Sequence, residues 1–197
     1  MNLKKEIQEA GIVVPQNFWH KIQKYKETLL RWNKTHNLTG AKDEATLDHF
    51  IFDSIYPLSF IKKPKTLLDI GTGAGFPGLI LAMALPDTEV TLAEPLTKRA
   101  SFLQFIKASL QLDNLDVKRK RAEELEPKIY DLITSRAVTD TKLLLEISQT
   151  LRDDNTRLLF YKGEKVFDEV DASLPHKVII TNNRHYLLID KNLKDDK

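Results

Sequence analysis

Apolar positions along the chain change their spacing near residue 64. Before it, Phe18, Ile22, Tyr25, Leu29 and Trp32 recur at steps of three and four, the stripe of an amphipathic helix opening after Pro15. Leu3, Ile7 and Ala10 predict a shorter helix ahead of it, ended by Gly11. Leu47, Phe50, Ile51, Ile55 and Leu58 predict a third, and the polar stretch 33–40 reads as a loop. Pro64 breaks the pattern. From about Lys65, short apolar runs alternate with helical stripes. The runs predict strands at 66–70, 89–93, 115–117, 130–134 and 157–161, then a hairpin of 178–180 and 186–189 turning through 181–184. The intervening helices reach about Leu85, carry Phe102, Leu103, Ile106 and Leu110 inward behind Thr97 as N-cap, and carry Leu143, Leu144, Ile147 and Leu151. This alternation predicts an α/β fold, a Rossmann-like, mostly parallel sheet with a terminal antiparallel hairpin. Residues 1–63 form an N-terminal helical cap and residues 64–197 the α/β domain, ending in a charged tail, 191–197.

The first strand runs into Asp69-Ile70-Gly71-Thr72-Gly73-Ala74-Gly75-Phe76-Pro77-Gly78 and then an apolar helix. Glycines let the loop take positive φ and let a ligand lie against bare main chain, and the helix start that follows offers free N–H groups. Read from Gly73, the loop matches a dinucleotide fingerprint; read from Asp69, it is the acid-led glycine loop of S-adenosylmethionine (SAM) methyltransferases. The acid favours the second. A carboxylate there repels a pyrophosphate but can anchor the cationic methionine end of SAM, directly or through water. Glu94 ends the second strand about twenty residues on, where an acid can accept hydrogen bonds from ribose hydroxyls; both ligand classes share that feature. Gly71, Gly73, Glu94, Ala122, Glu123 and Arg136 all fall at carboxyl ends of predicted strands, where such sheets bind ligands.

Composition narrows the chemistry. The chain has no cysteine, which excludes disulfides, thiolate metal sites and a thiol nucleophile and points to the cytoplasm. No apolar run reaches membrane-spanning length and the first residues lack a signal-peptide core, so no membrane partner is expected. The net charge is only +2, so nucleic acid would have to be held by local clusters such as Lys118-Arg119-Lys120-Arg121, with Lys162 a further candidate. Asp153-Asp154-Asn155 reads as a turn, and no metal is expected.

Gly71-Thr-Gly-Ala-Gly-Phe-Pro-Gly78, Arg121-Ala-Glu-Glu124 and Thr134-Ser-Arg-Ala-Val138, with Asn37-Leu-Thr39 and His49-Phe-Ile-Phe-Asp-Ser54, occur in one order. Together they resemble the RsmG (GidB) family, over nearly the whole chain. The resemblance implies a SAM-dependent methyltransferase acting on N7 of a guanosine in 16S, small-subunit, ribosomal RNA. Its partner is then that RNA or the 30S particle, and a monomer is expected. It places SAM against Gly71 and Phe76, with Ala122 and Glu123 near the adenine and Arg136 also at the site; the loop and strand reading adds Asp69, Gly73 and, at the ribose, Glu94. The family usually has Asp followed by Ser where this chain has Glu94 and Pro95.

Guanine N7 carries an in-plane lone pair and no proton, so attack on a sulfonium methyl needs no general base and no catalytic residue is assigned; proximity and orientation suffice. In agreement, the chain lacks the Asn/Asp-Pro-Pro-aromatic segment of exocyclic-amine methyltransferases. Because N7 faces the deep groove of A-form RNA, the target must sit in a loop or be splayed out. A small-molecule SAM methyltransferase, a non-catalytic RNA-binding assembly factor that retains SAM, and an NAD-dependent oxidoreductase stand as alternatives.

Overall fold

A computed structural model describes residues 2–181 and 184–193. Seven strands form one sheet in the order β3-β2-β1-β4-β5-β7-β6. They are β1 (Thr66–Ile70), β2 (Glu89–Ala93), β3 (Leu115–Lys118), β4 (Leu132–Arg136), β5 (Arg157–Lys162), β6 (His176–Ile180) and β7 (His185–Ile189). The first five are parallel, and β7 runs antiparallel to both β5 and β6. The chain winds outward from β1 through β2 to β3, then returns to β4 on the other side of β1. That reversal opens a crevice at the carboxyl ends of β1 and β4.

The two faces are covered differently. One carries α1 (Leu3–Glu9), α2 (Phe18–His36), α3 (Glu44–Ile55), α4 (Gly78–Ala84) and α5 (Thr97–Leu110). Their apolar stripes share a single core with the sheet, from Leu3, Tyr25 and Ile51 through Leu81 to Leu67, Leu92 and Leu159. The other face carries α6 (Thr141–Ile147) and the one-turn α7 (Val166–Glu169) over a smaller core of Leu68, Ile133, Leu144, Phe160 and Leu187. Among the described residues no helix is long and apolar enough to cross a membrane.

Several predicted boundaries move, each for a local reason. The fourth strand begins two residues late. The Asp131 carboxylate accepts the N–H groups of Lys65 and Thr66 at 2.7 and 3.0 Å, so pairing starts at Leu132 opposite Leu67. Arg136 therefore ends the strand rather than following it. α2 continues to His36 before Asn37 closes it at φ 49°, which shortens the predicted loop. Leu96, not Thr97, is the N-cap of α5. Asp140 caps α6 by accepting from the N–H of Leu143 at 2.9 Å; Leu143 faces out, 42% exposed, and Leu151 sits in a separate 3-10 turn. Leu58 likewise falls in a 3-10 turn, at Tyr56–Ser59. Of the predicted hairpin turn, Asn182 and Asn183 lie outside the described residues, as does 194–197 of the charged tail.

Candidate functional site

The strand register lines up the predicted residues. Ile70 pairs with Ala93 on one side and with Ser135 on the other, so Gly71, Glu94 and Arg136 leave three adjacent strands at one level. Gly71 is tied to this row by its N–H donating to the Ala93 carbonyl at 2.8 Å. Its φ is +67°, and a Cβ there would meet the Val138 side chain at 2.5 Å, so only glycine fits. Gly73, at φ +62°, has open space where a side chain would stand.

The glycine loop is held from below by carboxylates. Asp69 has no exposed surface. It accepts from Gly78 N–H at 2.8 Å and from the Thr134 hydroxyl at 2.9 Å, which joins β1, β4 and the start of α4. The close approach needs Gly78, since a Cβ there would lie 2.6 Å from the Asp69 Cβ. Burial pushes the Asp69 carboxyl up to about 6, held back by Thr72, Gly78, Thr134 and the Arg136 charge. Glu94, 2% exposed, accepts from Gly73 N–H through one oxygen and from Leu96 N–H through the other, each at 2.9 Å. The loop's far side is buttressed by α2, where the buried Tyr25 hydroxyl donates to the Ala74 carbonyl at 2.8 Å.

Arg136 has an unusual setting. Its guanidinium lies over two ring faces, 4.6 Å from the Phe50 centroid and 4.9 Å from that of Phe76. No carboxylate among the described residues forms an ion pair with it, and its buried Nη1 has no hydrogen-bond partner. Burial lowers its pKa first, and the nearby Arg184 charge second, while Asp53 opposes them. Guanidinium nonetheless stays charged in proteins. Phe50 is set by the docking of α3. Arg184 donates twice to one Asp53 oxygen, at 3.1 and 2.8 Å, and the Tyr186 and Tyr161 hydroxyls donate to the carbonyls of Asp53 and Ser54. Phe76, 3% exposed, packs edge-on against Tyr25 and Phe50. Sequence reasoning missed Phe50 as a site residue. Its helical stripe assigns it to the core, and nothing local connects it to Arg136.

The predicted residues thus fall into two groups. Asp69, Phe76, Glu94 and Arg136 lie toward the five-helix face. Gly71, Ala122 and Glu123 line a cleft of about 500 Å³ on the other face, with Pro95, Val138 and Leu143. Its walls are mostly apolar, with Gly71 and the polar residues Arg121, Glu123 and Thr139 among them, a lining suited to a flat heteroaromatic ring. A larger groove, about 850 Å³, lies at the amino ends of the strands beside Lys62, Lys65 and Arg157, away from the switch point. Asp153-Asp154-Asn155 is a turn in which Asp153 accepts from the N–H groups of Asn155 and Thr156. His49, the first residue of the His49–Ser54 motif, is exposed on α3.

An open, mostly parallel sheet carrying the antiparallel β7, with a glycine loop, an acid after β2 and a cleft at the switch point, defines a Rossmann-like fold. A methyltransferase from Geobacter sulfurreducens superposes with a TM-score of 0.59, covering 96% of each chain at 11% identity. Residues 19–194 match the model of the GidB family, rRNA small subunit methyltransferase G, and the chain belongs to that family. Proteins named ribosomal RNA small subunit methyltransferase G from Wolinella succinogenes and Aliarcobacter butzleri are 42% and 43% identical, covering 94% and 95% of this chain and 96% and 97% of theirs.

Proposed function

We propose that the chain methylates N7 of a guanosine in small-subunit ribosomal RNA with SAM as donor. One observation carries the cofactor assignment: the buried Arg136 Nη1 beside the glycine loop is a cationic donor left without a partner, which an anion would satisfy. The methionyl carboxylate of SAM supplies one, and a charge-assisted bond satisfies the orphan. Gly71, Ala122 and Glu123 then receive the adenine end in the cleft, and Glu94 the ribose, its oxygens having further lone pairs beyond the two N–H groups they hold. Asp69 acts through the loop, by fixing Gly78 and the start of α4 and by adding negative potential under the cationic end of the cofactor.

SAM supplies an electrophilic methyl group on sulfur. The chain's residues supply position and a dry wall. Guanine N7 needs no deprotonation, so the site requires no general base, and family membership supports an RNA acceptor over a small metabolite. In this reading residues 1–63 serve as a cap that completes the site through Tyr25 and Phe50.

The test is transfer of label from SAM to small ribosomal subunits and to their naked RNA. Label recovered as N7-methylguanosine is the expected result. Label on another base, or only in small molecules, contradicts the proposal.

A further inference from the structure

Two clusters of cations occupy opposite ends of the sheet. At the amino end, Lys62, Lys63 and Lys65 line the larger groove with Arg157. At the carboxyl end, Lys98 and Arg99 open α5 while Arg119 and Lys120 follow β3. The sheet brings these last four to one rim. Ala93 pairs with Lys118, and Glu94 N–H donates to the Lys118 carbonyl at 3.0 Å. The chain leaving β3 therefore runs beside Pro95 and Leu96, which lead into α5. Arg121 and Pro95 share the wall of the cleft, and Lys98 and Arg99, three and four residues past Pro95, border a separate hollow of about 270 Å³.

Not every cation expected to meet RNA is available. Lys118 is tied to Asp116 at 2.8 Å, and Lys162 to Glu169 at 2.7 Å. Among the described residues, Lys98, Arg99, Arg119 and Lys120 have no ion-pair partner. Of the neighbouring carboxylates, Glu94 is committed to backbone N–H groups and Glu124 caps Arg121 N–H, while Glu123 faces the cleft. The position of Lys98 and Arg99 also runs against helix electrostatics. They stand in the first turn of a 14-residue helix, where the positive end of the dipole favours acids, and that turn has no acid. A side-chain choice that works against the helix calls for an anion from outside.

We infer that Lys98, Arg99, Arg119 and Lys120 form the track for the phosphates that flank the target nucleotide. The inference rests on the RNA methyltransferase reading and adds where the strand lies. The amino-end cluster is excluded by distance. A five-residue strand spans about 17 Å, so that groove is too far from the cofactor cleft to hold the phosphates flanking a base presented to the methyl group of a SAM bound there.

The experiment compares the full chain with K98Q/R99Q, with R119Q/K120Q, with all four changes together, and with K62Q/K63Q/K65Q. It reads KM for small-subunit RNA, the dependence of RNA affinity on salt, SAM affinity and Tm. Each phosphate contact contributes about 0.7–0.9 to the slope of log affinity against log salt. The fourfold variant should raise KM for RNA at least tenfold and flatten the slope by about 3, with each pair giving roughly half. SAM affinity should hold, and Tm should hold or rise as the cations leave the helix start. The amino-end variant should match the parent. An unchanged KM and slope in the fourfold variant, the loss appearing in the amino-end variant, or a parallel loss of SAM affinity overturns the track. Absence of any RNA methylation by the parent overturns the RNA reading itself.

Discussion

The two faces of the sheet meet at the same glycine loop but treat it in opposite ways. On one, helices press aromatic side chains onto it: Tyr25 bonds the Ala74 carbonyl, and Phe50 closes over Arg136 together with the loop's own Phe76. On the other, short α6 and one-turn α7 leave Val138 and Leu143 44% and 42% exposed along the cleft. The closely packed face fixes where the main chain points. The thinly covered face leaves the room that a ligand fills. A loop that binds through bare backbone needs both, since its amides are useful only if they do not move and only if something can reach them.

Four perturbations separate these contributions, from the largest effect to the smallest. Gly73→Leu puts a side chain into the space left open at the loop. It should abolish SAM binding, more than about 100-fold by calorimetry, while the left-handed backbone costs the fold about 1–2 kcal/mol. Survival of SAM binding would show that the ligand does not cross there.

Asp69 tests the packed face through pH. Its folded pKa of about 6 exceeds the ordinary 3.8, so folding favours the protonated form. The penalty for ionising it is absent below pH 3.8, grows between there and about 6, and is full above, on the order of 3 kcal/mol. Asp69→Asn can still donate to the Thr134 hydroxyl oxygen and accept from Gly78 N–H. Its stability relative to the parent should therefore rise across that pH range in denaturant titrations. A flat difference would show that the carboxylate is not desolvated.

Arg136→Met removes a cation that has no ion pair to lose. Stability should hold or improve, while SAM affinity falls about 10–100-fold, the worth of a hydrogen bond to a charged group. A large drop in Tm with intact SAM affinity would make the residue structural. Phe50→Leu removes one ring face from that guanidinium and should weaken SAM binding about threefold to tenfold, with Phe50→Tyr restoring it. Equal weakening by both variants would mean that the ring face is not what matters.

What could be read in the sequence follows the range of the forces involved. β1 and β2 have the bounds that their apolar runs imply, because neighbouring strands on both sides bury such runs throughout. The row of Gly71, Glu94 and Arg136 was legible because carboxyl strand ends converge in any such sheet. The shift of β4 was not, because it depends on Asp131 meeting Lys65 and Thr66 across the sheet. Leu143 reads as core by spacing, yet α6 turns Thr141 and Leu144 inward, which leaves Leu143 one position out of phase as a cleft wall. The rings around Arg136 and the ion pairs of Lys118 and Lys162 arise from tertiary placement or local geometry that periodicity does not encode.

The most direct test of the account is a nucleotide-resolution map of N7-methylguanosine in small-subunit RNA from cells with and without the chain, read by strand cleavage at the modified base. The account predicts one guanosine whose N7 methyl disappears with the chain and returns with the parent protein but not with Gly73→Leu. An identical methylation map in both cells, or restoration by Gly73→Leu, would contradict it.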